Sequence, residues 1–271
     1  MSKQPLALVD LSDIHAGSSK AVLPPGFVSV EGNEIKQNAL QRWQYDCWRR
    51  MEDFVSERLG PSPFGLVLNG DLIEGIHHGT KEIISPEVGD HFEGAYQLLA
   101  PLASKAARVF VVRGTEAHVN NHEHALGKKL GAALNPELGI HAFDRLTIEV
   151  AGVRCVFRHH IGTSMRRGLA GTQLSAQLAE EQLEAANNGE PIPRVLACAH
   201  RHKAGVYRDD NGLCVVTPAW QALTRFAHKV VSQARCKPGV IILDWRNCNE
   251  GDLPQVHEKY YTAPAPHCIA L

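Results

Sequence analysis

The residues best suited to chemistry in this chain are histidines and carboxylates that follow short apolar runs. Asp13 and His15 follow residues 5–11, and Asp71 follows residues 64–68. Glu116 and His118 follow residues 108–112, His159 and His160 follow 153–157, and His200 and His202 follow 195–199. Imidazole and carboxylate without thiolate suit manganese, iron or zinc rather than calcium, which takes oxygen ligands only. The alternating spacing in Asp13-Ile14-His15, repeated in His200-Arg201-His202, puts two side chains on one side of an extended chain. Asp71 stands alone, and its two oxygens can bridge two ions. Ions held about 3.5–4 Å apart can clamp the attacking and leaving oxygens of a phosphoryl group. The set is larger than one four-coordinate ion requires.

Each apolar run reads as a buried strand, and the segments between them read as helices. Residues 33–59 carry Leu40, Trp43, Cys47, Met51, Phe54 and Val55 on one face, a helical period. Gly60, Pro61 and Pro63 end that helix. Residues 87–106 and 123–134 predict further helices. The pattern then changes. Residues 146–150 and 153–157 flank Ala151-Gly152, and residues 205–208 and 213–216 flank an Asp-Asn-Gly turn, both hairpin signals. A polar helix over 172–187 lies between the hairpins, and 239–244 is a last strand. With no repeat and no low-complexity linker, this order predicts one α/β domain over residues 1–271, with mixed sheets and helices outside. In such sheets sites form beyond the carboxyl ends of strands, so five strand ends converge on one point.

The chain has 271 residues, 44% hydrophobic and 21% charged, enough for a sizeable core. No apolar run reaches the roughly eighteen residues of a membrane helix, which argues against a membrane partner. The N-terminal segment is broken by Asp10 and Asp13 and does not read as a signal peptide. Seven cysteines without a CxxC spacing read as reduced thiols. Together these predict a cytoplasmic protein. A net charge of −1 provides no field to gather duplex nucleic acid, although Arg166, Arg167, Arg201 and Lys203 are local basic spots.

The order D-x-H, G-D, a Gly-led motif with His, then His, then H-x-H spans residues 8–202 and resembles the calcineurin-like metallophosphoesterase superfamily. That superfamily includes purple acid phosphatases, Ser/Thr protein phosphatases, cyclic-nucleotide phosphodiesterases and DNA-repair nucleases. The resemblance implies two stacked mixed β-sheets flanked by helices, a four-layer sandwich. It implies two divalent metal ions, Mn2+ first, with Fe or Zn as the alternatives. Asp13, His15 and His202 would hold the first, Asp71 would bridge, and His159 and His200 would hold the second. A water activated by the pair would attack phosphorus, and a histidine would protonate the leaving group or orient the phosphate.

The third motif departs from the family. The usual Gly-Asn-His-Asp/Glu is replaced by Gly114-Thr115-Glu116-Ala117-His118. Glu116 as ligand, with His118 as the catalytic histidine, is the preferred assignment; Thr115 in the place of Asn is the other. His159 is preferred to His160 because it comes first after its strand. Arg201 reads equally as a phosphate contact and as a surface residue. Glu74 reads equally as a group that orients a ligand and as a solvated carboxylate. The expected function is hydrolysis of a phosphate ester by a metal-activated water. A phosphodiester, nucleotide or nucleic acid is the favoured substrate, because the chain lacks a specificity insert and is most similar to the small phosphodiesterase and nuclease members. Near-neutral charge counts against tight duplex binding. The alternative is a metal-binding scaffold with a degenerate phosphoesterase site, for which the missing Asn speaks.

Overall fold

The predicted strands divide between two sheets. In the computed structural model, which describes residues 4–77, 79–116, 122–161, 170–225 and 237–263, β1 (Ala7–Leu11), β2 (Gly65–Asn69) and β3 (Arg108–Val112) run parallel. β9 (Gly239–Asp244) pairs antiparallel with β1, and β10 (Gln255–Tyr260) antiparallel with β9. The second sheet holds β4 (Leu146–Val150), β5 (Val153–Phe157), β6 (Pro193–Cys198), β7 (Gly205–Arg208) and β8 (Leu213–Val216) in the order β4-β5-β6-β8-β7. β5, β6 and β8 run parallel, and the outer pairs are antiparallel.

Alternation along the strands explains the layering. Val9, Leu11, Leu66, Leu68 and Ile242 pack with Cys47, Trp48, Met51 and Val55 of α1 (Ala39–Leu59), Leu98 and Leu102 of α2 (Val88–Ala103) and Leu126 of α3 (His122–Lys129). Their neighbours Leu8, Val67, Ile241 and Leu243 point the other way, onto Phe157, Val195, Ala197 and Val215 of the second sheet. The outer face of that sheet packs Val156, Leu196 and Cys198 on Leu174 and Leu178 of α4 (Ala170–Asn187). The result is the expected α/β/β/α sandwich. Strands covered on both faces read as unbroken apolar runs, as β1, β2 and β9 do.

Three boundaries differ from expectation for local reasons. Helix α1 begins six residues later than predicted, because the Asn38 side chain accepts from the Gln41 N–H while the Gln41 side chain accepts from the Asn38 N–H, a capping box. Helix α3 ends at Lys129, since Gly131 adopts φ +73° and the Ala133 N–H then bonds to Val109. Strand β10 was not expected. It is a charged, half-exposed edge strand, and such edges lack the apolar signal of a core strand. Trp220 is buried, edge-on to Trp48 with ring centroids 4.7 Å apart, and its indole N–H donates to Gly239. It therefore ties the chain after β8 to α1 and β9.

Candidate metal centre

The carboxyl ends of β1, β2, β5 and β6 meet where the loops beyond them continue to pair. The N–H groups of Asp13, His15 and Ala16 bond to Gly70, Asp71 and Leu72, and the Glu74 N–H returns to Ala16. The Ala199 N–H bonds to His159 O, the Trp220 N–H to Asp13 O, and the His200 N–H to Asp13 Oδ2. The site loops of both sheets are thus fastened to one another.

Two clusters result. Asp13, His15 and His202 bring ligand atoms within 4.8 Å of one another, and so do Asp71, His159 and His200. Asp71 Oδ2 lies 3.0 Å from His159 Nε2 and 4.0 Å from His200 Nδ1, but also 3.9 Å from His15 Nε2 in the first cluster. It stands between the two. Asp13 Oδ1 is 3.2 Å from His202 Nε2, and the Nε2 atoms of His15 and His202 are 3.1 Å apart.

The directions of these atoms fit metal ligands. His159 Nε2 and Asp13 Oδ1 are buried and close to opposite charge, yet neither makes a hydrogen bond. A buried polar atom without a partner calls for an explanation, and a bound ion is one. The backbone agrees. Among the described residues six non-glycine positions have positive φ, and five are the cluster members Asp13, His15, Asp71, His200 and His202, at +47° to +69°. The sixth, Ala151, turns the β4–β5 hairpin. A non-glycine residue in this region costs about 1–3 kcal/mol, so the loops hold five costly conformations at one place.

Charge is concentrated there. Burial opposes the ionised form of Asp13, but His202, His15 and His159 outweigh it and hold the carboxyl well below its ordinary range. Asp71 is depressed likewise, burial being overcome by His159 and His15. The partners shift the opposite way. Burial would lower His15, but Asp13, Glu74 and Asp71 raise it well above the usual value. Against its own burial His159 is raised to about 9, chiefly by Asp71. His200 is pushed down to about 4 by burial, then by His159 and His160. Without metal, the upward shifts of His15 and His159 favour protons that offset the carboxylates; divalent ions would take their place.

Close approach is built in. A Cβ on Gly70 would lie 2.4 Å from His159 Nδ1, and one on Gly114 2.2 Å from Asp71 Oδ1. Glu123 fixes the loops bearing these positions: its two oxygens accept from the Leu72 and Gly114 N–H groups at 2.9 and 2.7 Å. Burial, then the nearby Asp71 charge, raises Glu123 to about 7. Asp10 faces the second sheet, accepts from the Thr217 hydroxyl at 2.7 Å, and is raised to about 7 by burial.

The structure brings Asp13, His15, Asp71, His159, His200 and His202 together and leaves Glu116 out. Glu116 is exposed and belongs to neither cluster. The Thr115 N–H bonds to Asp71 Oδ1 at 2.7 Å, and its hydroxyl lies 3.0 Å from Asp71 Oδ2 and 3.4 Å from His200 Nδ1. Thr115, and not Glu116, meets Asp71 and His200. His118 lies outside the described residues. His160 is exposed, its ring 4.3 Å from that of His200. Arg201 binds Gln173 on α4. Glu123 carried no sequence signal beyond its place at a helix start.

No family model matches the sequence, and no curated protein matches it. Solved structures similar to the chain include Vps29 from Entamoeba histolytica complexed with Zn2+, at 11% identity over 94% of this chain and 98% of that one, with a TM-score of 0.45. A novel archaeal phosphodiesterase is similar at 12% identity, covering 94% and 99%, TM-score 0.45. A predicted phosphoesterase from Streptococcus pneumoniae is similar at 11% identity, covering 95% and 100%, TM-score 0.34. The likeness is one of chain path. The chemistry of this chain is carried by its own side chains.

Proposed function

We propose that this chain hydrolyses a phosphate ester at a two-metal centre. The observation that carries the reading is the place of Asp71, whose Oδ2 faces His15 of one cluster and His159 and His200 of the other. One carboxylate between two separate ligand sets is the arrangement a bridged pair of ions requires. Asp13, His15 and His202 would hold one ion, His159 and His200 the other. Such ions supply Lewis acidity toward phosphoryl oxygens and lower the pKa of water. Mn2+ is the proposed occupant, and the N/O donor set also accommodates Fe or Zn. Thr115 holds both oxygens of Asp71 and so fixes the bridge. His118 is the proposed proton donor to the leaving group. A phosphodiester, including a nucleotide or nucleic acid, is the proposed substrate. The buried free thiols of Cys47, Cys155, Cys198 and Cys214 fit a reducing setting, and we place the activity in the cytoplasm.

The test is hydrolysis of an aryl phosphodiester and the matching monoester with added Mn2+, comparing wild type with Asp71→Asn. Turnover by wild type and its loss in the variant support the reading, and the ratio of the two rates begins to define the substrate. A wild type that binds metal but turns over neither ester favours the scaffold alternative, with Thr115 as the residue that separates it from an active site.

A further inference from the structure

We propose that Glu74 is the positioning residue of the first metal site, a buried carboxylate that fixes the ring of His15 from behind and joins two further segments to it. The proposal rests on the two-metal reading above. His15 presents Nε2 to Asp13, Asp71 and His202, and its other nitrogen, Nδ1, lies 2.8 Å from Glu74 Oε2. The same oxygen accepts from Gln221 Nε2 at 2.8 Å, and Oε1 lies 3.2 Å from His77 Nε2. Glu74 is 2% exposed, and its backbone N–H is bonded to Ala16, so neither its position nor its partners are those of a solvated surface acid.

The second cluster is supported differently. His159 Nδ1 donates to the backbone carbonyl of Asn69 at 2.7 Å, a neutral acceptor. A carboxylate behind an imidazole holds the proton on Nδ1, directs the Nε2 lone pair forward and makes it more basic; a carbonyl does the first two with less effect on basicity. The two sites are therefore unequal, and the first is the tighter. Gln221 adds a link to another ligand, since the preceding residue, Trp220, donates its N–H to Asp13 O. Glu74 thus connects the loop after β2 to the segment after β8 through the back of one ligand.

The experiment uses the full chain, stripped by chelator, as wild type, Glu74→Gln, Glu74→Ala and Glu74→Asp. Mn2+ and Zn2+ are titrated calorimetrically, and melting temperatures of the metal-free proteins are measured beside them. Wild type is expected to bind two ions with different affinities. Glu74→Ala is expected to weaken the tighter site by about 10–100-fold and to leave the other unchanged. Glu74→Gln keeps the shape without the charge and should fall between, and Glu74→Asp should recover part of the loss. In Zn2+-loaded wild type, nitrogen-15 and proton spectra should show His15 protonated at Nδ1 with the downfield N–H shift of a carboxylate hydrogen bond, and Glu74→Ala should keep the proton and lose that shift. A purely structural Glu74 would lower the melting temperature while leaving both dissociation constants of the folded variants at their wild-type values, and that result overturns the proposal. If Glu74→Ala does not fold, Glu74→Gln decides. A wild type that takes up no metal refutes the two-metal reading itself, and this proposal with it, before any variant is compared.

Discussion

Replacing Gly114 by Ala should disable the centre while leaving most of the fold in place. The new Cβ would lie 2.2 Å from Asp71 Oδ1, 2.3 Å from Asp71 N and 3.0 Å from Asp71 Cα. Ordinary contact begins near 3.4 Å, so the two chains must separate by 3.4 − 2.2 = 1.2 Å. Rotating the Asp71 side chain does not suffice, because its backbone nitrogen is hit as well. Moving Asp71 stretches the 2.7 Å bond from the Thr115 N–H, of a charge-assisted kind worth about 1.5–3 kcal/mol. Overpacking of this kind costs about 1–3 kcal/mol, and at about 2–4 °C per kcal/mol the melting temperature should fall by roughly 2–12 °C. A displacement near 1 Å of a group that positions reactants costs on the order of 100-fold in rate. The assays are thermal melting, Mn2+ titration and aryl phosphodiester hydrolysis. Gly60→Ala is the control: φ is +56° and ψ −136° there, but nothing lies within 4 Å, so it should cost about 1–3 kcal/mol without touching metal binding. A Gly114→Ala protein with wild-type melting and wild-type ion affinity would refute the close-packed account of Asp71.

Metal binding should depend on pH with a definite sign. In the metal-free protein His15 is raised well above its usual value and His159 to about 9, while His200 is lowered to about 4. Only neutral imidazole ligates, so filling the second site at pH 7 should release the proton of His159, and the upward shift of His15 adds to the release at the first. Affinity should therefore rise with pH up to about 9, and calorimetry in buffers of different ionisation enthalpy counts the protons. Glu123→Gln sets an amide NH2 against either the Leu72 or the Gly114 N–H, both of which Glu123 now accepts. An expected loss of about 1–3 kcal/mol would be read as a lower melting temperature, together with weaker ion binding as the Asp71 loop loosens. Ions bound only by the folded chain stabilise it by mass action, about 2.7 kcal/mol per site at 100 times the dissociation constant. A chelator should therefore lower the melting temperature, and a scan with and without it checks this.

What was legible in the sequence were features with a local signature. Unbroken apolar runs marked β1, β2 and β9 because both faces of the first sheet are covered. Polar residues at the ends of β1, β2, β5 and β6 mark the two clusters because parallel strands direct their carboxyl ends to one side. Strand β10 was not legible, since an edge strand needs few apolar residues. The structure leaves Glu116 outside both clusters: a residue type suited to ligation does not say which side chain faces the site, and here Thr115 meets Asp71. Glu123 and Gln221 act by hydrogen bonds to residues 9 and 147 positions away. Contacts of the second kind leave no periodicity to read, and Glu123 looks like any acidic residue opening a helix. The sequence fits Glu74 equally to two roles, and its three partners, His15, His77 and Gln221, are what distinguish them.

The central claim is that two ions share Asp71. The most direct measurement is the number of Mn2+ ions bound per chain, by titration into the chelator-stripped protein, with electron paramagnetic resonance to detect coupling between them. Two ions in wild type with a spin-coupled signal, and loss of that coupling in Asp71→Asn, are the predicted result. A single uncoupled ion in wild type, or a coupled pair that survives Asp71→Asn, would contradict it.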